Sequence, residues 1–515
     1  MSYYGGFDRR HISRMMRTSS TLYRAGSKHL LKDGVLLSEE RQLRSFCRFM
    51  LAEKQTRFRY LRQLTLIMDR PSQAVAKKFV YVLKRMSHLE SLHLSADDEF
   101  LNGHPDLCDA ISGLSSLRRL HADDAGKLAC DMLKRSCSKL VSLYLNFGMV
   151  PSFPGDRYGE FFYNTLDPED LPDYHPVSVL AAFAPTLEEL IVEYEGNVGL
   201  PHQPHAVYPR LRKLHLKDDY PFLRPYIDAF PNLTHITLHT SHCELSVPYE
   251  DHEEVFWEIR SRNEGDQLVN GSWQHLEEYR GPVLELYLLG LTCPVPHLYF
   301  PRIADQDLEF LPDVVDSARP VELRMNIRGD PFGDTEDELP AVLRRPGCSF
   351  LRKLVLRVEI PPEYEESDIQ ISMDNLLPSL QSLALHHFEL TLEPNRFLNP
   401  TPRRGRPRLT LPDGSLEPPI TPAPLFPVEH SLEEFNPLDY AQRVFEAVPF
   451  MKEALVVVGG PRAAARRVTR LERGEGEATV ATNHTECEPF CIAILWLNIC
   501  SRATFQNHGL CTVGI

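Results

Sequence analysis

Leu61-Arg-Gln-Leu64-Thr-Leu66 and Leu89-Glu-Ser-Leu92-His-Leu94 are the stretches whose reading decides the fold of this chain. Each is a leucine, two polar residues, a second leucine, one residue and a third apolar residue. The phrase returns as Leu117-Arg-Arg-Leu120-His-Ala122, Leu140-Val-Ser-Leu143-Tyr-Leu145, Leu187-Glu-Glu-Leu190-Ile-Val192, Leu211-Arg-Lys-Leu214-His-Leu216 and Leu233-Thr-His-Ile236-Thr-Leu238. Two more copies follow, Leu351-Arg-Lys-Leu354-Val-Leu356 and Leu380-Gln-Ser-Leu383-Ala-Leu385. First leucines at 61, 89, 117 and 140 are 28, 28 and 23 residues apart; those at 187, 211 and 233 are 24 and 22 apart; 351 and 380 are 29 apart. A single LxxL is common in amphipathic helices, but nine at near-regular spacing mark an internal repeat.

Inside the phrase the period is two, the period of a strand with one buried face. Leu64 and Leu66 are expected to enter a core, with Gln63 and Thr65 facing out. Between phrases the spacing turns helical, as in Ala74–Leu83, Ala129–Leu133 and Pro225–Phe230. A strand–helix unit cannot bury its apolar face alone, so neighbours must stack. The expected fold is α/β, an irregular leucine-rich-repeat solenoid (horseshoe) with a short helical N-terminal cap. The position that usually holds a strand-closing asparagine carries Asp69, Asp97 and Asp219 in three units, and Ala125, Gly148, Glu195, Ser241, Glu359 and Phe388 in the others, which predicts an uneven array.

Composition agrees. The chain has 515 residues, 43% hydrophobic and 25% charged, with a net charge of −15. Such a balance argues against nucleic-acid partners, which need clustered Lys and Arg. No leader-like apolar run opens the chain, and the apolar run Cys491–Cys500 is about half the ~20 residues of a membrane helix, so no membrane association and a cytoplasmic or nuclear location are expected. Seven scattered cysteines (Cys47, Cys108, Cys130, Cys137, Cys243, Cys293, Cys348) read as buried free thiols.

Organisation follows from these patterns: a helical cap over 1–55, repeats over 56–390, a disordered Pro/Arg-rich insertion over 391–430, a C-terminal cap over 431–480 and an atypical tail over 481–515. Asp439–Val448 reads as helix and Ala454–Val458 as a buried strand. Four of the eleven cysteines fall after residue 486, and the repeat phrase is absent there, as expected of a segment translated from an unspliced or shifted frame. Near the start, Ile12, Met15, Met16, Leu22 and Tyr23 sit at helical spacing, with Thr18 and Ser19 between them as break or cap; a further helix, capped by Ser38, is expected from Glu39 to Leu51.

The stretch Arg10-His-Ile12-Ser-Arg-Met15-Met16 through Leu22-Tyr23 resembles the second half of an F-box. With the repeats behind it, the chain resembles the F-box/leucine-rich-repeat proteins of mushroom-forming fungi over residues 8–480. The resemblance implies that Ile12, Met15, Met16, Leu22 and Tyr23 dock a Skp-type adaptor of a cullin ubiquitin ligase, while the repeats hold a substrate. The Leu-Pro-x-Glu-type helix that opens an F-box does not precede Phe7, so the chain is expected either to have lost its start or to use the segment only as a cap.

Function is expected on the concave strand face, where Arg62, His93, Arg118, His121, Tyr144, Glu188, Arg212, His215 and His235 would meet a protein ligand. His93 and His121 hold the same place in adjacent units, about 5 Å apart, but no carboxylate or cysteine is expected to join them, so no metal is assigned. HExxH, GxSxG, phosphate-loop and CxxC motifs are absent from a supporting context, and Gly459-Gly460 reads as a turn. The expectation is a non-catalytic recognition protein without cofactor, monomeric outside a complex; the alternative is a stand-alone repeat scaffold or sensor with no ubiquitin link.

Overall fold

The computed structural model describes residues 9–482 apart from 69, 96–97, 148, 151–159, 162–164, 168, 195–205, 218–222, 240–252, 334, 336–337, 362–367, 395–424, 461–465 and 474–477. The protein is α/β with a mostly parallel sheet. Its described residues divide into two units, 9–239 with Trp273–His275, and 253–272 with 276–482.

In the first unit, strands β1 (Val35–Leu37), β2 (Gln63–Leu66), β3 (Ser91–Ser95), β4 (Arg119–Asp123) and β5 (Ser142–Phe147) lie parallel in chain order. A short antiparallel pair, β6 (Met149–Val150) and β7 (Glu160–Phe161), precedes β8 (Glu189–Tyr194), β9 (Lys213–Lys217) and β10 (His235–His239), which resume the parallel order. The phrases stand in register: Leu64, Leu92, Leu120, Leu143, Leu190, Leu214 and Ile236 form one row. Leu66, Leu94, Ala122, Leu145, Val192, Leu216 and Leu238 form the next. Both rows are buried, as are the first leucines from Leu61 to Leu233. A one-residue slip would turn every such leucine to solvent, each at roughly 1.5–3 kcal/mol, so the alternation holds the register.

Backbone bonds just before the strands repeat the same register. The Arg62 carbonyl accepts from the N–H groups of Glu90 and Ser91 at 2.8 and 2.9 Å, and the Glu90 carbonyl accepts from Arg118 and Arg119, both at 2.9 Å. Arg118, Val141, Glu188 and Arg212 do the same for the units that follow them. The second residue of each phrase thus satisfies two donors of the next unit at a point where no strand ladder yet exists.

Helices fall where the spacing turns helical, at Gln73–Leu83, Lys127–Lys134 and Leu223–Ala229, each burying its apolar stripe. At the start, helices Arg9–Met16 and Ser20–Lys32 are separated as expected: Thr18 Oγ1 donates to the Met15 carbonyl at 2.7 Å, and Ser19 Oγ accepts from Leu22 N–H at 3.1 Å. The third helix, Glu40–Leu51, corrects one expectation. Its N-cap position is Glu39, while Ser38 donates its N–H to Gln42 Oε1 at 2.9 Å. Arg57 fixes the joint below these helices: it is almost wholly buried, 3.9 Å over the Phe49 ring and 4.9 Å from the Tyr23 ring, and donates to the Phe49 carbonyl at 2.6 Å.

In the second unit β11 (Glu278–Arg280), β12 (His297–Ile303), β13 (Glu322–Arg328), β14 (Lys353–Ile360), β15 (His387–Pro394) and β16 (Glu453–Val458) are parallel, and β17 (Arg467–Arg473) and β18 (Ala478–Thr482) continue antiparallel. The inward row reads Tyr279, Leu298, Leu323, Leu354, Phe388 and Ala454. Three residues earlier stand Leu276, Val295, Pro320, Leu351, Leu385 and Met451, all buried. The phrase beginning at Leu380 is therefore displaced: Leu380 lies in helix Ile369–Gln381, and Leu385, just before β15, takes the place of the phrase's first leucine. The error is physical in origin, because LxxLxL also fits the buried stripe of a helix. Phe388, read as a strand-closing residue, points into the core beside Leu354, and Glu359 stands within β14 rather than after it.

The helix Pro437–Ala447 and strand β16 match the expected C-terminal elements; the β17–β18 hairpin was not foreseen. Of the expected Pro/Arg-rich insertion, residues 391–394 complete β15 and helix Pro427–Glu434 occupies its other end, while 395–424 lie outside the described residues. So does the tail beyond Thr482. Cys47, Cys108, Cys130, Cys293 and Cys348 are buried and outside any disulfide, Cys137 is exposed, and Cys243 is outside the described residues.

Candidate functional site

Register places the outward side chains of the first unit in rows. Thr65, His93, His121, Tyr144, Ile191, His215 and Thr237 stand side by side on β2 to β5 and β8 to β10. Neighbouring strands are about 4.8 Å apart, so rings at equal register stack. The His93 and His121 ring centroids are 3.9 Å apart and tilted by 45°; His121 and Tyr144 are 3.8 Å apart and inclined by only 15°. His215 and His239 approach to 4.7 Å.

Asp123 joins the two histidines, contrary to the expectation that no carboxylate would. It lies two residues beyond His121, hence on the same strand face. His93 Nε2 is 2.7 Å from Oδ2 and His121 Nε2 2.9 Å from Oδ1, and because an ionised carboxylate only accepts, both imidazoles donate. Partial burial works to raise the Asp123 pKa, but the hydrogen bonds and charges of His121 and His93 outweigh it and hold the carboxyl well below the usual range. Burial pushes the Tyr144 phenol up, as do the Glu193 and Asp123 carboxylates beside it. Glu193 in turn lies 3.8 Å from Lys217 Nζ. The sequence signal for Asp123 was present in the i, i+2 spacing from His121.

The nine expected recognition residues divide into two groups. His93, His121, Tyr144, His215 and His235 stand on the strands, and Thr234 Oγ1 and His235 Nδ1 are hydrogen-bonded at 2.8 Å. Arg62, Arg118, Glu188 and Arg212 precede the strands and line their N-terminal edge instead. Arg62 pairs with Glu90 at 2.7 Å, and Arg212 donates to the Asn232 carbonyl at 2.7 Å. A polar cavity of about 370 Å³ opens at this edge among Arg62, His88, Glu90, Arg118 and Lys139.

The five expected adaptor residues are also divided. Met15 is 50% exposed and Leu22 37%, Ile12 is half-buried, Met16 packs into the cap and Tyr23 is held near Arg57. Met16 is fixed by Gly26: a Cβ there would come within 2.3 Å of the Met16 Cγ.

Burial pushes the Cys47 and Cys348 thiols up to about 12, which keeps both from acting as thiolate nucleophiles near neutrality. Among the described residues no helix is long and apolar enough to cross a membrane. Comparison with protein-family models and with curated proteins finds no match.

Proposed function

We propose that this chain is a leucine-rich-repeat solenoid that recognises another protein on its outward strand face, as a non-catalytic receptor derived from the F-box class. The registered leucine rows and the doubly used second-position carbonyls support the repeat reading. The row His93–His121–Tyr144 carries the recognition reading: the rings are stacked and half-exposed on the outward strand face. Aromatic side chains give large contact area at low entropic cost and dominate binding energies at interfaces. The flanking Arg62, Arg118 and Arg212 supply rim charges that steer encounter with a mixed-charge partner.

The alternative, a scaffold without a ubiquitin connection, is favoured by Met16 and Tyr23, whose side chains serve the cap itself. Tagged protein drawn from native extract, with mass spectrometry scored for a Skp-type adaptor and cullin, separates the two. Recovery of both, lost in Met15→Glu/Leu22→Glu, supports the ligase receptor. Specific partners lost in His121→Ala/Tyr144→Ala, without adaptor or cullin, support the scaffold. No partner that depends on His121 or Tyr144 overturns the recognition face.

A further inference from the structure

We propose that His93, His121 and Asp123 form a binding site for a divalent cation of the zinc type. This does not rest on the recognition reading. The three residues offer one ligand atom each, all within 4.8 Å of one another. Two neutral imidazoles and one carboxylate suit a borderline first-row ion such as Zn2+ or Co2+, whereas Ca2+ and Mg2+ require oxygen-rich shells.

Zinc–nitrogen and zinc–oxygen bonds of about 2.0–2.2 Å in a tetrahedron set ligand atoms roughly 3.3 Å apart. His93 Nε2 and His121 Nε2 already face the Asp123 carboxylate at 2.7 and 2.9 Å, so each nitrogen need draw back from its oxygen by only about half an ångström, and all three ligand atoms lie within 4.8 Å of one another. On binding, each imidazole gives up its Nε2 proton to solvent, presents the Nε2 lone pair to the cation and carries its remaining hydrogen on Nδ1; nothing is oxidised or reduced. The cation takes the place of the two N–H···O contacts that now satisfy Asp123.

The backbone holds the ligands ready. His93 and His121 are direct partners across β3 and β4, and the Tyr144 ring stacked on His121 restricts its rotation. The three side chains are 29%, 38% and 31% exposed, so an ion reaches them from solvent and keeps at least one open coordination position.

The test uses the full chain, with Co2+ as an optical probe and Zn2+ in competition with a chromophoric chelator. One equivalent of Co2+ should give visible ligand-field bands. His93→Ala, His121→Ala and Asp123→Asn should each weaken Zn2+ binding at least about tenfold, while His387→Ala leaves it unchanged. Should a variant fail to fold, wild-type protein carries the test alone: Zn2+ should suppress acylation of His93 and His121 by diethyl pyrocarbonate, read by peptide mass spectrometry, and spare that of His387. Equal Zn2+ affinity in wild type and Asp123→Asn, or acylation of His93 and His121 unaffected by Zn2+, overturns the site.

Discussion

The outward strand faces of the two units are built from different chemistry. The first carries mostly rings, His93 on His121 on Tyr144, and His215 beside His239, with the looser Glu193–Lys217 pair at 3.8 Å. The second carries ion pairs. Glu322 meets Lys353 at 3.1 Å and Arg324 at 2.5 Å, Glu453 meets Arg470 at 2.8 Å and His387 at 3.2 Å, and buried Glu393 is held by Arg357 at 2.8 Å and by Arg466. A ring stack gives up little hydration when covered, whereas paired charges must be stripped of water. The same backbone register therefore yields a face suited to being covered in one unit and a face stabilised by its own pairs in the other.

The sharpest way to break this contrast is at Glu393. Glu393→Ala leaves two guanidinium groups facing a buried site and should cost about 3 kcal/mol, seen as faster hydrogen exchange in β14–β16. A cost below about 1 kcal/mol would make the pair an ordinary surface contact and erase the difference between the faces.

Acid sharpens the comparison next. His175 in the first unit is buried, its Nδ1 accepting from Val177 N–H at 3.1 Å, and burial pushes its pKa down to about 3 from 6.5. The unfolded chain therefore takes up a proton below pH ~6.5 that the folded chain refuses until about pH 3, and stability falls by about 1.4 kcal/mol per pH unit across that window. In the second unit, partial burial raises the Glu322 pKa, but Arg324 and Lys353 overcome it and leave the carboxyl below its ordinary value, so its contribution persists until the pH falls below the glutamate range. Segment-resolved hydrogen exchange at pH 7, 6 and 5 should show the first unit loosening before the second, and His175→Gln should flatten that slope.

The smallest effect concerns salt. Glu322→Gln should cost about 1 kcal/mol at low ionic strength and much less at 1 M salt, while a Tyr144→Phe penalty should not change with salt. Urea midpoints at the two salt concentrations check this.

The phrases of the first unit were legible because leucine holds nearly every inward position there. In the second unit the same places are filled by Tyr279, Val295, Pro320 and Met451, apolar residues that bury equally well but spell no leucine pattern. The candidate face was half legible: alternation put His93, His121 and Tyr144 on one side, but Asp123 was overlooked although its spacing from His121 places it there. Arg62, Arg118, Glu188 and Arg212 were placed on the strand face although each strand begins one residue after them.

The doubly bonded second-position carbonyls have an engineering consequence. They fix each unit to the next through a few backbone groups at the strand entrance, whatever length of chain intervenes. Paired residues are 22 apart from β9 to β10 and 66 apart from β15 to β16, yet Arg212 and His386 serve their successors with the same two bonds. A foreign domain spliced into the connection between β15 and β16 should therefore leave the sheet undisturbed, making that connection a natural port for a fluorescent or affinity insert.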